Sequence, residues 1–107
     1  MLLTGETACD AIREIHKEYP DFLVGAGNIT EKEQVKQVVQ AGTKWIACAG
    51  IQENLVRWCR DNEAEIVPGV STASEIETAI AYGLTCVQFF PAQASGGTAA
   101  LRAFAQA

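Results

Sequence analysis

The sequence lacks an excess of basic residues and a long apolar run. Of its 107 residues, 13 are acidic and 8 are basic, so the formal net charge is −5. Nucleic-acid-binding domains carry clustered lysine and arginine, so this balance argues against a nucleic-acid partner. No apolar stretch reaches the roughly 20 residues that span a membrane, and the first residues do not resemble a signal peptide. We therefore expect a cytoplasmic protein without a membrane partner.

Histidine and cysteine are too sparse to predict a metal site. His16 is the single histidine, and the four cysteines form no C-x-x-C pair. Structural zinc sites and disulfide frameworks depend on such spacings. We expect neither, and interpret the cysteines as small buried apolar residues in a reducing compartment. They are Cys9, Cys48, Cys59 and Cys86.

What the sequence does have is a regular alternation of strand and helix patterns, with a period of about 20 residues. Such alternation predicts βα units, a parallel sheet and right-handed crossovers. No linker or low-complexity segment interrupts it, so we expect one domain. Strands are predicted at residues 22–24, 45–48, 65–67 and 85–90, and helices at 10–19, 30–42, 52–62, 72–83 and from 97 onward.

Local signals set the expected ends and faces of these helices. Thr30 and Thr72 each precede a glutamate by three residues, which is the spacing of a capping box. The last predicted helix is rich in alanine, and its periodicity places Leu101 and Phe104 inward.

In parallel α/β folds, ligands bind at the carboxyl ends of the strands. Here those ends are rich in glycine and proline, which either turn the chain or let a ligand approach the backbone. They carry no P-loop, complete dinucleotide fingerprint or paired carboxylates. Strand alternation puts Cys86, Gln88 and Phe90 on one inner face. Gln88 is then either a ligand contact or a hydrogen-bonded core residue.

Three segments resemble the 2-keto-3-deoxy-6-phosphogluconate (KDPG) / 4-hydroxy-2-oxoglutarate (KHG) aldolase family. They read VGAG at 24–27, IVPGVSTASE at 66–75 and, most specifically, FFPAQASGG at 89–97. Residues 7–13 also resemble the family's second helix. The resemblance implies that residues 1–107 form a single partial domain, from the second through the sixth helix of the family. The expected fold is α/β, with parallel βα repeats forming about half of a (β/α)8 TIM barrel.

The resemblance also implies a chemistry. The family cleaves KDPG or related 2-keto-4-hydroxy acids to pyruvate and an aldehyde, as class I lyases of carbohydrate metabolism. A lysine forms a Schiff base with the keto carbon, and a glutamate near the end of the second strand moves protons. No metal or other cofactor is needed, and members are usually trimers.

The sequence departs from this pattern at the residues that perform the catalysis. The family lysine stands directly before FFPA, where this sequence has Gln88, and an amide nitrogen cannot form a Schiff base. The glutamate position falls one residue before Met1, and the family's phosphate-binding segments match nothing in the sequence. We therefore predict that the chain alone is inactive as an aldolase.

The remaining substrate contacts are expected at four positions. Thr4 aligns with the family's carboxylate-binding arginine, Asn28 with a substrate-contacting threonine, and Ala49 with a proline. Phe90 completes the set, which would hold a small keto acid.

Two non-catalytic functions stay open beside the aldolase ancestry. One is a module that binds a small keto acid or another anion at the strand ends. The other is a self-assembling half-barrel, because four strands cannot close a cylinder and leave two bare edges. The expected inward row is semi-apolar, which favours burial by a second copy and so a homo-oligomer. It comprises Cys48, Cys86, Gln88 and Phe90.

Overall fold

A computed structural model describes residues 5–107, in which five helices alternate with a parallel four-stranded sheet in the order β1-β2-β3-β4. This confirms the predicted α/β class and parallel βα repeats. The elements are α1 (Gly5–Glu18), β1 (Gly25–Ala26), α2 (Lys32–Ala41), β2 (Trp45–Cys48), α3 (Glu53–Asp61), β3 (Glu65–Val70), α4 (Ala73–Ala81), β4 (Gln88–Phe89) and α5 (Gly97–Gln106).

The sheet has one covered face and one open face. Paired residues of parallel strands share a face, and the register joins Ile46 to Ile66 and Ala47 to Val67. The side chains of β2 and β3 on the covered face are buried, and helices α1 to α3 pack against them through residues such as Leu55. The covered face carries Ile46, Cys48, Ile66, Pro68, Val70 and Phe89, and the open face carries Gly25, Trp45, Ala47, Glu65, Val67, Gly69 and Gln88.

The two predicted capping boxes have different outcomes. Thr72 caps α4 as predicted, because its hydroxyl accepts the backbone N–H of Glu75 at 3.3 Å. The Thr30 prediction is wrong by one residue, since Glu31 is the N-cap of α2. Gln34 completes that box, and its Oε1 accepts the backbone N–H of Glu31 at 3.2 Å.

The first strand lies later than predicted. It comprises Gly25–Ala26, whereas Phe22 and Leu23 precede it and are 65% and 68% exposed. The pairing requires glycine at position 25, because a Cβ there would lie 2.0 Å from the indole of Trp45. The apolar run at 22–24 therefore marks the approach to an edge strand.

The other strands differ from prediction in length. β3 continues through Pro68 and Gly69, which were expected to end it. β4 is limited to Gln88–Phe89 and does not fill residues 85–90. Beyond this edge Leu101 is exposed, contrary to prediction, whereas the Phe104 ring packs edge-on against Phe89 with centroids 6.1 Å apart.

Three of the four free cysteines are buried, as predicted, but Cys86 is exposed. It lies in the unpaired stretch before β4, which explains the difference. None of the described helices is long and apolar enough to cross a membrane.

Candidate functional site at the strand ends

The candidate site lies at the carboxyl ends of β2, β3 and β4, on the open face. Gln88 pairs with Gly69 of β3 and is half-buried. Its Nε2 donates a hydrogen bond to the carbonyl oxygen of Cys48, 2.6 Å away, although β3 lies between their two strands. The amide of Gln88 therefore has the partner that a half-buried polar group needs.

Gly69 makes this contact possible. A Cβ at Gly69 would lie 1.9 Å from the carbonyl oxygen of Ala49 and 3.0 Å from that of Cys48. The main chain leaving β2 thus passes directly over β3, which only a glycine there permits. The prediction that Pro68 and Gly69 end the strand did not include this close approach of two backbones. A glycine inside a strand is the available signal, since it often marks close approach of another backbone.

The predicted ligand positions fall into two groups. Ala49 and Phe90 lie near Gln88. The carbonyl group of Ala49 lies over Gly69, the residue that pairs with Gln88. Phe90 follows β4 directly, and its backbone N–H donates to the carbonyl oxygen of Val70 at 3.1 Å. Asn28 lies at the end of β1, with β2 and β3 between it and the strand of Gln88, and has a left-handed φ of 56°. It lines a groove of about 430 Å³ between α1, β1 and α2. Thr4 lies outside the described residues.

The expected inward row is partly wrong. Cys48 pairs with Pro68, so its side chain lies on the covered face and is buried there. It contributes only its carbonyl oxygen to the site. Burial raises the pKa of its thiol to about 11, so this sulfur stays protonated and is no nucleophile at neutral pH.

No lysine of the sequence lies at the strand ends. Lys17 is in α1, Lys32 and Lys36 are in α2, and Lys44 precedes β2 at the opposite rim. The described strand ends therefore offer amide groups and main-chain carbonyls but no amine.

Glu75 provides the carboxylate of the loop after β3. Its Oε1 accepts the backbone N–H of Ser71 at 3.1 Å and the hydroxyl of Thr72 at 2.9 Å. These hydrogen bonds hold the pKa of Glu75 below its ordinary value, and the bond from the Ser71 backbone contributes most. A carboxylate held in this way stays ionised at neutral pH and is already engaged as a helix cap.

Comparison with known proteins gives a family. The family model described as KDPG and KHG aldolase matches residues 1–107. The KHG/KDPG aldolase of Escherichia coli K12 is 41% identical over 103 residues, covering 96% of this chain and 48% of the relative. The 2-dehydro-3-deoxy-phosphogluconate aldolase of Dickeya dadantii is 40% identical over 105 residues, covering 98% and 49%. The chain thus spans about half the length of the curated relatives it matches.

Solved structures agree with this fold. The KDPG aldolase from Legionella pneumophila, with pyruvate captured at low pH as a covalent carbinolamine intermediate, gives a TM-score of 0.87 at 31% identity, covering 92% of this chain and 48% of that chain. The Zymomonas mobilis ZM4 enzyme with 3-phosphoglycerate gives 0.83 at 32%, covering 92% and 47%. A cube-shaped protein cage, designed by fusing symmetric oligomeric domains, gives 0.80 at 29%, covering 90% and 36%. The predicted half of a TIM barrel is confirmed, and the chain belongs to the KDPG and KHG aldolase family.

Proposed function

We propose that this chain binds a small 2-keto acid such as pyruvate at its strand ends without forming a Schiff base. One observation carries the proposal: the position directly before FFPA holds the amide of Gln88, hydrogen-bonded to the Cys48 carbonyl. Residues 1–107 act in it as one partial-barrel domain, in the cytoplasm, and the binding draws on no metal or other cofactor.

The chemistry of an amide supports this division between binding and catalysis. A carbinolamine forms when an amine lone pair attacks the keto carbon, as in the pyruvate adduct of the Legionella relative. The nitrogen lone pair of a carboxamide is delocalised into its carbonyl group. The Gln88 side chain can therefore orient a keto acid by hydrogen bonding, but it cannot form the covalent bond.

Binding is tested by titrating the chain with millimolar pyruvate and following its backbone amides by NMR. We expect the amides of Ala49, Gln88 and Phe90, which lie together at the ends of β2 to β4, to shift. Acetate at the same concentration is the control, since it carries the carboxylate without the keto group. Unchanged spectra in pyruvate, or equal shifts in acetate, would contradict keto-acid binding.

Catalysis is tested by borohydride reduction in the presence of pyruvate, followed by mass spectrometry of the intact chain. We expect no covalent adduct on the wild-type chain, and an adduct there would overturn the proposal. The variant Gln88→Lys restores an amine and should gain an adduct. Its aldol cleavage should stay very low, because the carboxylate of Glu75 is already engaged by Ser71 and Thr72.

A second function, self-assembly, is favoured by the two bare edges of the sheet. β1 and β4 are both edge strands and contain two residues each. The outer backbone N–H and C=O groups of an edge strand have no partner within the sheet and are a template for pairing with another chain. We propose that the chain forms a homo-oligomer.

A further inference from the structure

We infer that the strand-end site holds a 2-hydroxy acid such as lactate more tightly than the 2-keto acid with the same carbon skeleton. The preference, which rests on the proposed keto-acid site, is set by the side-chain amide of Gln88. It follows from the direction in which this amide faces, from the oxygen atoms around it, and from what each ligand can donate and accept.

The carbonyl oxygen of Cys48 fixes the direction of the Gln88 amide. That oxygen is 2.6 Å from Nε2 and carries no hydrogen, so only the nitrogen end of the amide can face it. Turning the amide over would place two oxygen atoms in contact without a hydrogen between them. Oε1 is therefore directed away from this carbonyl group, and one N–H of Nε2 is left over for a ligand.

A second oxygen acceptor lies close to this amide. The carbonyl oxygen of Ala49 lies over Gly69, 1.9 Å from where a Cβ would stand, and the carbonyl oxygen of Cys48 is 3.0 Å from the same point. Gly69 pairs with Gln88 between β3 and β4. In the described part of the chain, neither the Ala49 oxygen nor Oε1 of Gln88 accepts a hydrogen bond from another residue. Both atoms are thus free to accept from a ligand.

The hydroxyl groups that follow β3 are already engaged. Those of Ser71 and Thr72 donate to Oε1 of Glu75 at 3.3 Å and 2.9 Å. The backbone N–H of Phe90 likewise donates within the chain, to the carbonyl oxygen of Val70. Around the Gln88 amide the described residues therefore offer two oxygen acceptors and one N–H donor.

Pyruvate and lactate differ in what their C2 oxygen can do. The oxygen of a keto group only accepts, so it can use the remaining N–H of Gln88 but faces the lone pairs of Oε1 and of the Ala49 carbonyl. A hydroxyl group accepts from that N–H and also donates to Oε1. The carboxylate and the methyl group are common to both acids. One added neutral hydrogen bond corresponds to binding about 3- to 10-fold tighter.

The wild-type chain tests the preference with pyruvate and the two enantiomers of lactate. NMR follows the backbone amides of Ala49, Gln88 and Phe90 and the side-chain amide of Gln88 in each titration. We expect the better lactate enantiomer to bind about 3- to 10-fold more tightly than pyruvate. Pyruvate that binds as tightly as lactate would overturn the preference and leave keto-acid binding intact. Lactate binding without pyruvate binding would contradict the proposed function alone, and a chain that binds neither acid would overturn both.

A ligand without the donor tests the physical cause. In 2-fluoropropanoate a fluorine atom replaces the hydroxyl group of lactate at a similar size, and it has no hydrogen to donate. We expect this acid to bind no more tightly than pyruvate. An affinity equal to that of lactate would show that the shape at C2 sets the preference, which would overturn the role of the amide. This comparison needs no variant of the chain.

A substitution assigns the preference to Gln88. Gln88→Met keeps the length of the side chain and removes its amide, so the preference for lactate should fall below about 2-fold because the hydroxyl group loses its acceptor. Gln40→Met makes the same change on the exposed surface of α2 and should keep the wild-type ratio of affinities. Circular dichroism checks that both variants are folded. A preference of wild-type size in Gln88→Met would overturn the assignment to this residue.

Discussion

At the centre of the sheet, β2 and β3 pair over four residues, whereas β1 and β4 at the edges each pair over two. The centre is covered by α3, whose Leu55, Val56 and Cys59 are almost fully buried. The edges instead carry the exposed apolar side chains. The comparison indicates that the centre holds the fold together, whereas the edges contribute fewer contacts within the chain.

The largest effect is expected from a cavity at the centre. Leu55 is fully buried, so Leu55→Ala should lower the free energy of unfolding by about 3 kcal/mol. Leu101→Ala removes the same atoms from an exposed edge position and should cost about 0.5 kcal/mol or less in the monomer. Urea unfolding at one low protein concentration measures both. Equal losses would mean that the edge is as well packed as the centre.

A second substitution tests the close contact between Gly69 of β3 and the main chain that follows β2. In Gly69→Ala the new methyl group overlaps the Ala49 carbonyl, so we expect a loss of about 1–3 kcal/mol. The NMR signals of the Gln88 side-chain amide should shift as its bond to Cys48 breaks. Gly27→Ala, at the end of β1, has nothing within 4 Å of the added methyl and serves as the edge control. If Gly69→Ala left the free energy of unfolding unchanged, the main chain after β2 would be free to move aside.

A third pair compares helix caps. Thr72→Ala removes the cap of α4, after the central strand β3, and should cost about 1 kcal/mol. Thr30→Ala precedes α2, after the edge strand β1, and should cost about 0.5 kcal/mol or less because Glu31 is the cap there. If Thr30→Ala lowered the free energy of unfolding as much as Thr72→Ala does, Thr30 would be the cap of α2 after all.

The hydrogen bonds of Glu75 to the loop after β3 predict that the free energy of unfolding depends on pH. The folded chain holds the pKa of Glu75 below its ordinary value of 4.5, mainly through the N–H of Ser71. The resulting stability is present above pH 4.5 and is lost as the pH falls through the lower, folded-state value. Unfolding measured on this acid limb should be less pH-dependent in Thr72→Ala than in wild type, and parallel curves would contradict the coupling.

The smallest effect on the fold is expected from thiol alkylation. Exposed Cys86 should react with iodoacetamide, whereas Cys48 and Cys59 should not in the folded state. Burial raises the pKa of both central thiols from 9.0 to about 11, and Cys48 adds to the shift at Cys59. Their thiolate fraction at pH 8 is thereby about 100-fold lower. Peptide mass spectrometry gives the rates, Cys86→Ser is the control, and rapid labelling of Cys59 would contradict central burial.

The centre of the fold could be predicted from the sequence, because there the local patterns and the packing agree. The strand Trp45–Cys48 and the helix Glu53–Asp61 lie where periodicity places them. At the edges the same patterns are misleading. The apolar residues Phe22 and Leu23 have the composition of a strand, but they are exposed beside a bare edge.

The candidate site was predictable in position but not in its contacts. The FFPA motif and strand alternation place Gln88 on the open face, where it lies. The partner of its amide is a main-chain carbonyl of Cys48, which no side-chain pattern reveals. That contact depends on the glycine at position 69, whose meaning becomes visible only when the path of the chain after β2 is known.

The indole of Trp45, which lies against Gly25 on the open face, gives the molecule an optical reporter. Trp45 is partly buried at the inner wall of the half-barrel, whereas Trp58, the other tryptophan, lies in α3 and packs against the buried core. A ligand or another chain that covers the open face would take water away from Trp45 and leave Trp58 in the same surroundings. The emission of a Trp58→Phe variant would then report directly on whether the open face is covered.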